Sequence, residues 1–158
     1  MLAASATTLP LALVLSACAG PNPLAGPPPL SADTQAVLAA ASAEQQLIFQ
    51  YKRTMAVYSA LTPALGTLLA EHQAHLAQLR ARIIEPPGKT VPAAAPSRQP
   101  IAGTPTAALA RLRTAEQAAI AAALRRLAGA SPSLAQLYAS IAASEATHVT
   151  ALDSRLHR

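Results

Sequence analysis

Proline placement constrains this chain more than any other feature. Its fourteen prolines are clustered, at Pro10 to Pro29, at Pro63, between Pro86 and Pro105, and at Pro132. Proline lacks an N–H and clashes inside a helix, so each cluster marks a place where helix cannot continue. The windows between clusters are long, proline-free and rich in Ala and Leu. The chain is 52% apolar but only 3% aromatic and 12% charged, with six glycines. That composition favours helix, and 158 residues are one domain's worth.

Four helices follow. Helix one is predicted from about Asp33 to Leu61. Helix two follows Thr62-Pro63 and runs to about Ile84. Helix three follows Thr104-Pro105 and runs to about Ala128. Helix four follows Ser131-Pro132 and runs to about Leu156. The last three starts pair a hydroxyl N-cap with proline at the first helical position, and Gly129 is placed to end helix three. Helices one and two join almost directly, as do three and four, so each pair reads as an antiparallel hairpin. Between the pairs lies the proline-rich segment Glu85 to Pro105, long for a compact bundle. The expected fold is all-α: a four-helix bundle of two hairpins joined by a long crossover, with an up-down-up-down bundle and a loose linker as the alternative.

Each helix carries a heptad-like apolar stripe. In helix one it is Val37, Ala41, Glu44, Ile48, Tyr51, Met55 and Tyr58. In helix two it is Leu65, Leu68, His72, Leu76, Leu79 and Ile83. In helix three it is Leu109, Leu112, Glu116, Ala119, Ala123 and Leu127. In helix four it is Leu134, Leu137, Ile141, Glu145, His148, Leu152 and Leu156. Every stripe is interrupted by Glu or His. His75 lies about 60° from His72 and still near the inner face, whereas Glu71 lies about 100° away, at the stripe's edge. An unpaired buried carboxylate costs on the order of several kcal/mol. Polar groups on all four stripes need a common compensation, and a shared cation is the simplest. Counted outward from the turns near Leu61 and Ala130, the candidates agree in depth to within about a turn in each hairpin.

This pattern resembles the ferritin-like superfamily of carboxylate-bound dimetal proteins, which use a Glu from each of two helices and Glu-x-x-His from each of the other two. Glu44 matches the first-helix Glu, Glu116 the third-helix Glu, and Glu145-Ala-Thr-His148 the fourth-helix motif. More narrowly, the chain looks like small ferritin-like lipoproteins of actinobacteria. The resemblance implies metal ligation by Glu44, His72, His75, Glu116, Glu145 and His148, with iron or manganese ahead of zinc. Helix two departs from the pattern. His72-Gln-Ala-His75 puts His72 where a bridging carboxylate is usual, and Glu71 could substitute only if helix two rotates. Such a site has less negative charge and suits one metal, or a softer one such as zinc or copper. Tyr51 and Tyr58 read as core aromatics.

The start reads MLAASATTLPLALVLSACAG. Its apolar core is too short to span a bilayer and reads as a signal peptide over residues 1–17. Leu15-Ser16-Ala17-Cys18 resembles the bacterial lipobox, which implies cleavage before Cys18, acylation of its thiol by a palmitate-type chain, and anchoring on the outer face of the cytoplasmic membrane. Cys18 is the chain's single cysteine, so no disulfide is available. Residues 18–32 form a Pro/Gly-rich tether ahead of a bundle over 33–158.

The net charge of +5 is spread over separated pairs such as Arg111 with Arg113 and Arg125 with Arg126. No aromatics interleave with them, which argues against nucleic-acid binding. No Gly-x-Ser-x-Gly elbow or phosphate-binding Gly loop is present, which argues against hydrolase and nucleotide chemistry. The expected function is a membrane-tethered bundle holding one or two transition-metal ions, with redox activity and a homodimer left open. The alternative is a metal-free bundle serving as a structural or interaction module at the cell envelope.

Overall fold

The computed structural model describes residues 30–83, 96 and 100–157. The expected signal peptide, Cys18, most of the expected tether and most of the crossover lie outside the described residues. Among the described residues there are four α-helices: α1 (Ala32–Val57), α2 (Thr62–Arg80), α3 (Pro105–Leu127) and α4 (Pro132–Leu156). They form a four-helix bundle.

Local chemistry sets the helix starts. The Ser31 side chain accepts from the Thr34 N–H at 3.1 Å and caps α1. Thr104 caps α3 in the same way through Ala107 at 3.1 Å, with Pro105 following it in the first turn. Ser131 is the N-cap residue of α4 but its hydroxyl makes no capping bond. The α2 start differs from expectation. Thr62 is already helical, and Leu61 takes the N-cap position because a 3-10 turn, Ser59–Leu61, runs straight into the helix.

Two helix ends also differ. α1 stops at Val57, short of Leu61, because Tyr58 leaves the helical region at φ −118° and ψ 71°. Its hydroxyl donates to the Ala102 carbonyl at 2.6 Å, tying this corner to the residues that lead into α3. α2 ends at Arg80 and tightens into i to i+3 bonds at Arg82 and Ile83. Gly129 lies in the turn after α3, as expected. Its φ is not left-handed and an added Cβ would meet nothing, so the turn does not require glycine.

The helices pack most closely within the two hairpins, α1 on α2 and α3 on α4. α1 also packs on α3, and α2 more loosely on α4. α2 and α3 are therefore diagonal. One apolar cluster joins Val37, Leu79, Leu134 and Tyr138. The other joins Tyr51, Leu65, Leu109 and Leu152. These clusters sit at opposite ends of the bundle and fix its directions: α1 runs parallel to α4, and α2 parallel to α3. The chain after α2 must return the whole bundle length before α3 starts. A 19-residue helix such as α2 is about 28 Å long, and residues 84–99 can reach roughly 50 Å when extended. The connection is long because it joins opposite ends.

Candidate metal centre

Between the two apolar clusters lies a polar layer. Glu44, His72, His75, Glu116, Glu145 and His148 are all buried, with His72, Glu116 and His148 at 0% exposure. All six face the interior because each falls in or beside its helix's apolar stripe, and the hairpin geometry brings them to one depth.

His72 is at the centre. Its Nδ1 lies 2.9 Å from Glu44 Oε2 and its Nε2 lies 2.8 Å from Glu116 Oε1. Both partners are carboxylates, so both ring nitrogens donate and the ring is an imidazolium. Burial acts to lower the His72 pKa, but the hydrogen bonds to Glu116 and Glu44 outweigh it and raise it to about 9. The ring spans from α1 to α3. Three imidazoles converge here, with the His72 and His148 ring centroids 4.8 Å apart and edge to face.

His75 Nδ1 is 3.2 Å from Glu44 Oε1, and His148 Nδ1 is 3.5 Å from Glu116 Oε1. Neither contact has hydrogen-bond geometry. Two overlapping groups thus have ligand atoms close enough to share an ion: Glu44 with His72 and His75, and His72 with Glu116 and His148. Either group could hold a metal. Glu145 belongs to neither, although it sits between them electrostatically. Burial and the neighbouring Glu44 and Glu116 charges raise its pKa to about 8, so its carboxyl is largely protonated at neutral pH without a cation. Burial also works against ionised Glu116, but the nearby His148 ring and the hydrogen bonds from His72 and Tyr51 prevail and lower its pKa to about 2. The Glu44 pKa is lowered as well, because His72 and His75 outweigh its burial.

Unsatisfied atoms collect in this layer. Among the described residues, His75 Nδ1, Glu116 Oε2, Glu145 Oε2 and His148 Nδ1 are buried without a hydrogen-bond partner. Each such atom costs about 1–3 kcal/mol. Partnerless imidazole nitrogens and carboxylate oxygens are groups able to ligate a cation. The donors are imidazole nitrogens and carboxylate oxygens, which suit iron, manganese, zinc or copper. A cavity of about 20 Å³ is lined by Glu44, Glu145, Leu79, Tyr138 and Arg126, room for about one water. A far larger groove of about 840 Å³ runs between α1 and α3 past Phe49, Ala108 and Ala115, and none of the six polar residues lines it.

Two residues join the layer in ways the sequence does not predict. Glu71 reaches the cluster without any rotation of α2: its Oε2 accepts from His148 Nε2 at 2.8 Å and from the Ser144 hydroxyl at 3.0 Å. It sits on the side of α2 that faces α4, so α2 presents His72 inward and Glu71 sideways to the same layer. With a side chain 44% exposed, it links the buried cluster to solvent. The hydrogen bond from His148 lowers its pKa, and Glu116 and Glu71 together raise that of His148 against its burial. Tyr51, expected as a core aromatic, is fully buried, and its hydroxyl donates to Glu116 Oε1 at 2.6 Å. Burial and the Glu116 charge raise its pKa. Arg113, which could have paired with Glu116 along α3, instead forms an ion pair with Asp153 of α4.

No family model matches the chain, and no curated protein or solved structure matches it at a significant level. Among the described residues, no helix is long and apolar enough to cross a membrane.

Proposed function

We propose that this chain is a lipid-anchored metal-binding protein of the ferritin-like kind. It would hold one or two divalent transition-metal ions in its bundle core and be tethered to the outer face of the cytoplasmic membrane through Cys18. The observation that carries the metal reading is the pair of overlapping buried groups, each with two imidazoles and one carboxylate. Glu44, His72, His75, Glu116 and His148 supply the ligands. Glu145 and Glu71 adjust charge and access at the edge.

A bound iron or manganese would supply one-electron chemistry, and zinc would supply Lewis acidity. The chain's own part is to hold the ligands in a dry layer between two apolar clusters. Tyr51 orients Glu116, and Glu71 orients His148, as groups behind a ligand commonly do. The half-exposed Glu71 carboxylate gives a cation a path inward from the α2–α4 side. The anchor rests on Leu15-Ser16-Ala17-Cys18.

A second reading has its own observation. The His72 imidazolium already compensates Glu44 and Glu116, so the layer could serve as a metal-free network inside a structural module. Metal analysis of the full chain purified without chelators separates the two. Near-stoichiometric transition metal supports the metal protein. Negligible metal, unchanged after reconstitution, leaves the structural module.

A further inference from the structure

We propose that His72 is a bridging ligand, joining two divalent ions through the two nitrogens of one imidazolate ring. This deepens the metal-binding reading and rests on it.

The geometry is two-ended. Nδ1 points to the Glu44 side at 2.9 Å and Nε2 to the Glu116 side at 2.8 Å. Each end has one further imidazole, His75 beside Glu44 and His148 beside Glu116. Among the described residues, His72 is the one common to both candidate groups. Each ion would therefore receive one His72 nitrogen, one other imidazole and one carboxylate. Three protein ligands leave a coordination position open, as at reactive zinc centres.

The charges and protons balance. In the metal-free ring both nitrogens carry a proton directed at a carboxylate. Two metal ions replace those two protons, which pass to solvent, and the ring becomes an imidazolate of charge −1. Two divalent ions bring +4, and the imidazolate, Glu44 and Glu116 return −3. Glu145, whose carboxyl burial and the Glu44 and Glu116 charges keep protonated without a cation, ionises as the metals bind; its proton passes to solvent with the two from His72, and its charge completes the neutralisation. The nitrogen-rich donor set favours copper(II) and zinc(II) over magnesium or calcium. The Nδ1 atoms of His75 and His148, buried without a hydrogen-bond partner, are free to serve as the second imidazole at each ion.

Spin coupling provides the test, because an imidazolate bridge couples two copper(II) ions antiferromagnetically. The full chain in detergent is titrated with copper(II), with stoichiometry followed by native mass spectrometry and spins by electron paramagnetic resonance. The proposal expects two copper ions per chain with signal intensity far below that of two isolated ions, and a full one-spin signal when zinc takes one site. His75→Ala should bind one copper with an ordinary, uncoupled signal, and His72→Gln should lose the coupling. Two bound coppers with full two-spin intensity in the wild type would overturn the bridge, as would saturation at one copper, and in both cases metal binding itself stands. Failure to bind any copper or zinc overturns the bridge, and failure to bind iron(II) or manganese(II) as well overturns the metal reading along with it.

Discussion

The Tyr51 hydroxyl, on α1, donates to Glu116 Oε1, on α3, at 2.6 Å in the fully buried layer. The same oxygen accepts from His72 on α2, so three helices meet at one carboxylate atom. Removing a hydrogen bond to a charged group typically costs about 1.5–3 kcal/mol. Tyr51→Phe should lower the stability of the metal-free protein by an amount in that range, read as a shift in urea midpoint. An unchanged midpoint would show that His72 alone satisfies Glu116.

The metal-free protein should be most stable in mildly acidic solution. His72 is raised to about 9 in the fold, so its contribution is full below about 6.5 and is lost as pH rises toward 9. Glu145 is raised to about 8. The fold then holds a proton that the unfolded chain has released, and stability falls as pH rises from about 4.5 toward 8. Glu116 acts in the opposite sense. With a pKa lowered to about 2, its contribution is present above about 4.5 and lost as pH falls. Chemical denaturation with chelator across pH 3 to 9 should give a maximum near pH 5, and Glu145→Gln should flatten its alkaline side. A maximum near pH 8 would contradict these assignments.

Much of this layer is legible in the sequence. Glu44, Glu116, Glu145 and His148 interrupt heptad stripes, and burial follows from the 3.6-residue period alone. His72 and His75 are legible for the same reason. Glu71 is not, because it sits about 100° off the stripe and reaches the layer only through its flexible side chain and the α2–α4 neighbourhood. The role of Tyr51 is hidden as well, since a tyrosine in a stripe reads as apolar bulk until its hydroxyl finds a partner on another helix. The early end of α1 depends on a contact between Tyr58 and Ala102, far apart in sequence. The α1–α3 adjacency also explains why Leu47 and Thr54 are buried although they lie outside the predicted stripe.

The turn after α3 offers a simple check of the fold. Gly129 has no left-handed φ, and a methyl group added at its Cα would meet no neighbouring atom. Gly129→Ala should leave stability equal or raise it by about 0.4–1 kcal/mol through lower entropy of the unfolded chain. A loss measured by thermal denaturation would show that this turn adopts a conformation glycine alone tolerates.

Double replacement of Glu145 and His148 by Leu and Ala removes polar groups from a buried layer. Such replacements are often neutral or stabilising when the remaining groups stay paired. In chelator the variant should therefore unfold no earlier than the wild type. A strong loss of stability would mean that these two side chains hold the metal-free network together.

The central claim is that the layer takes up metal. An anaerobic titration of the full chain with iron(II), manganese(II) or zinc(II), followed by thermal unfolding, addresses it directly, with Glu116→Gln as the control. A ligand that binds only the folded state at 100 times its Kd stabilises by about 2.7 kcal/mol. The account predicts saturation at one or two ions per chain and a clear rise in Tm for the wild type, with both weakened in the variant. No saturable binding, or the same rise in Tm for wild type and variant, would contradict it.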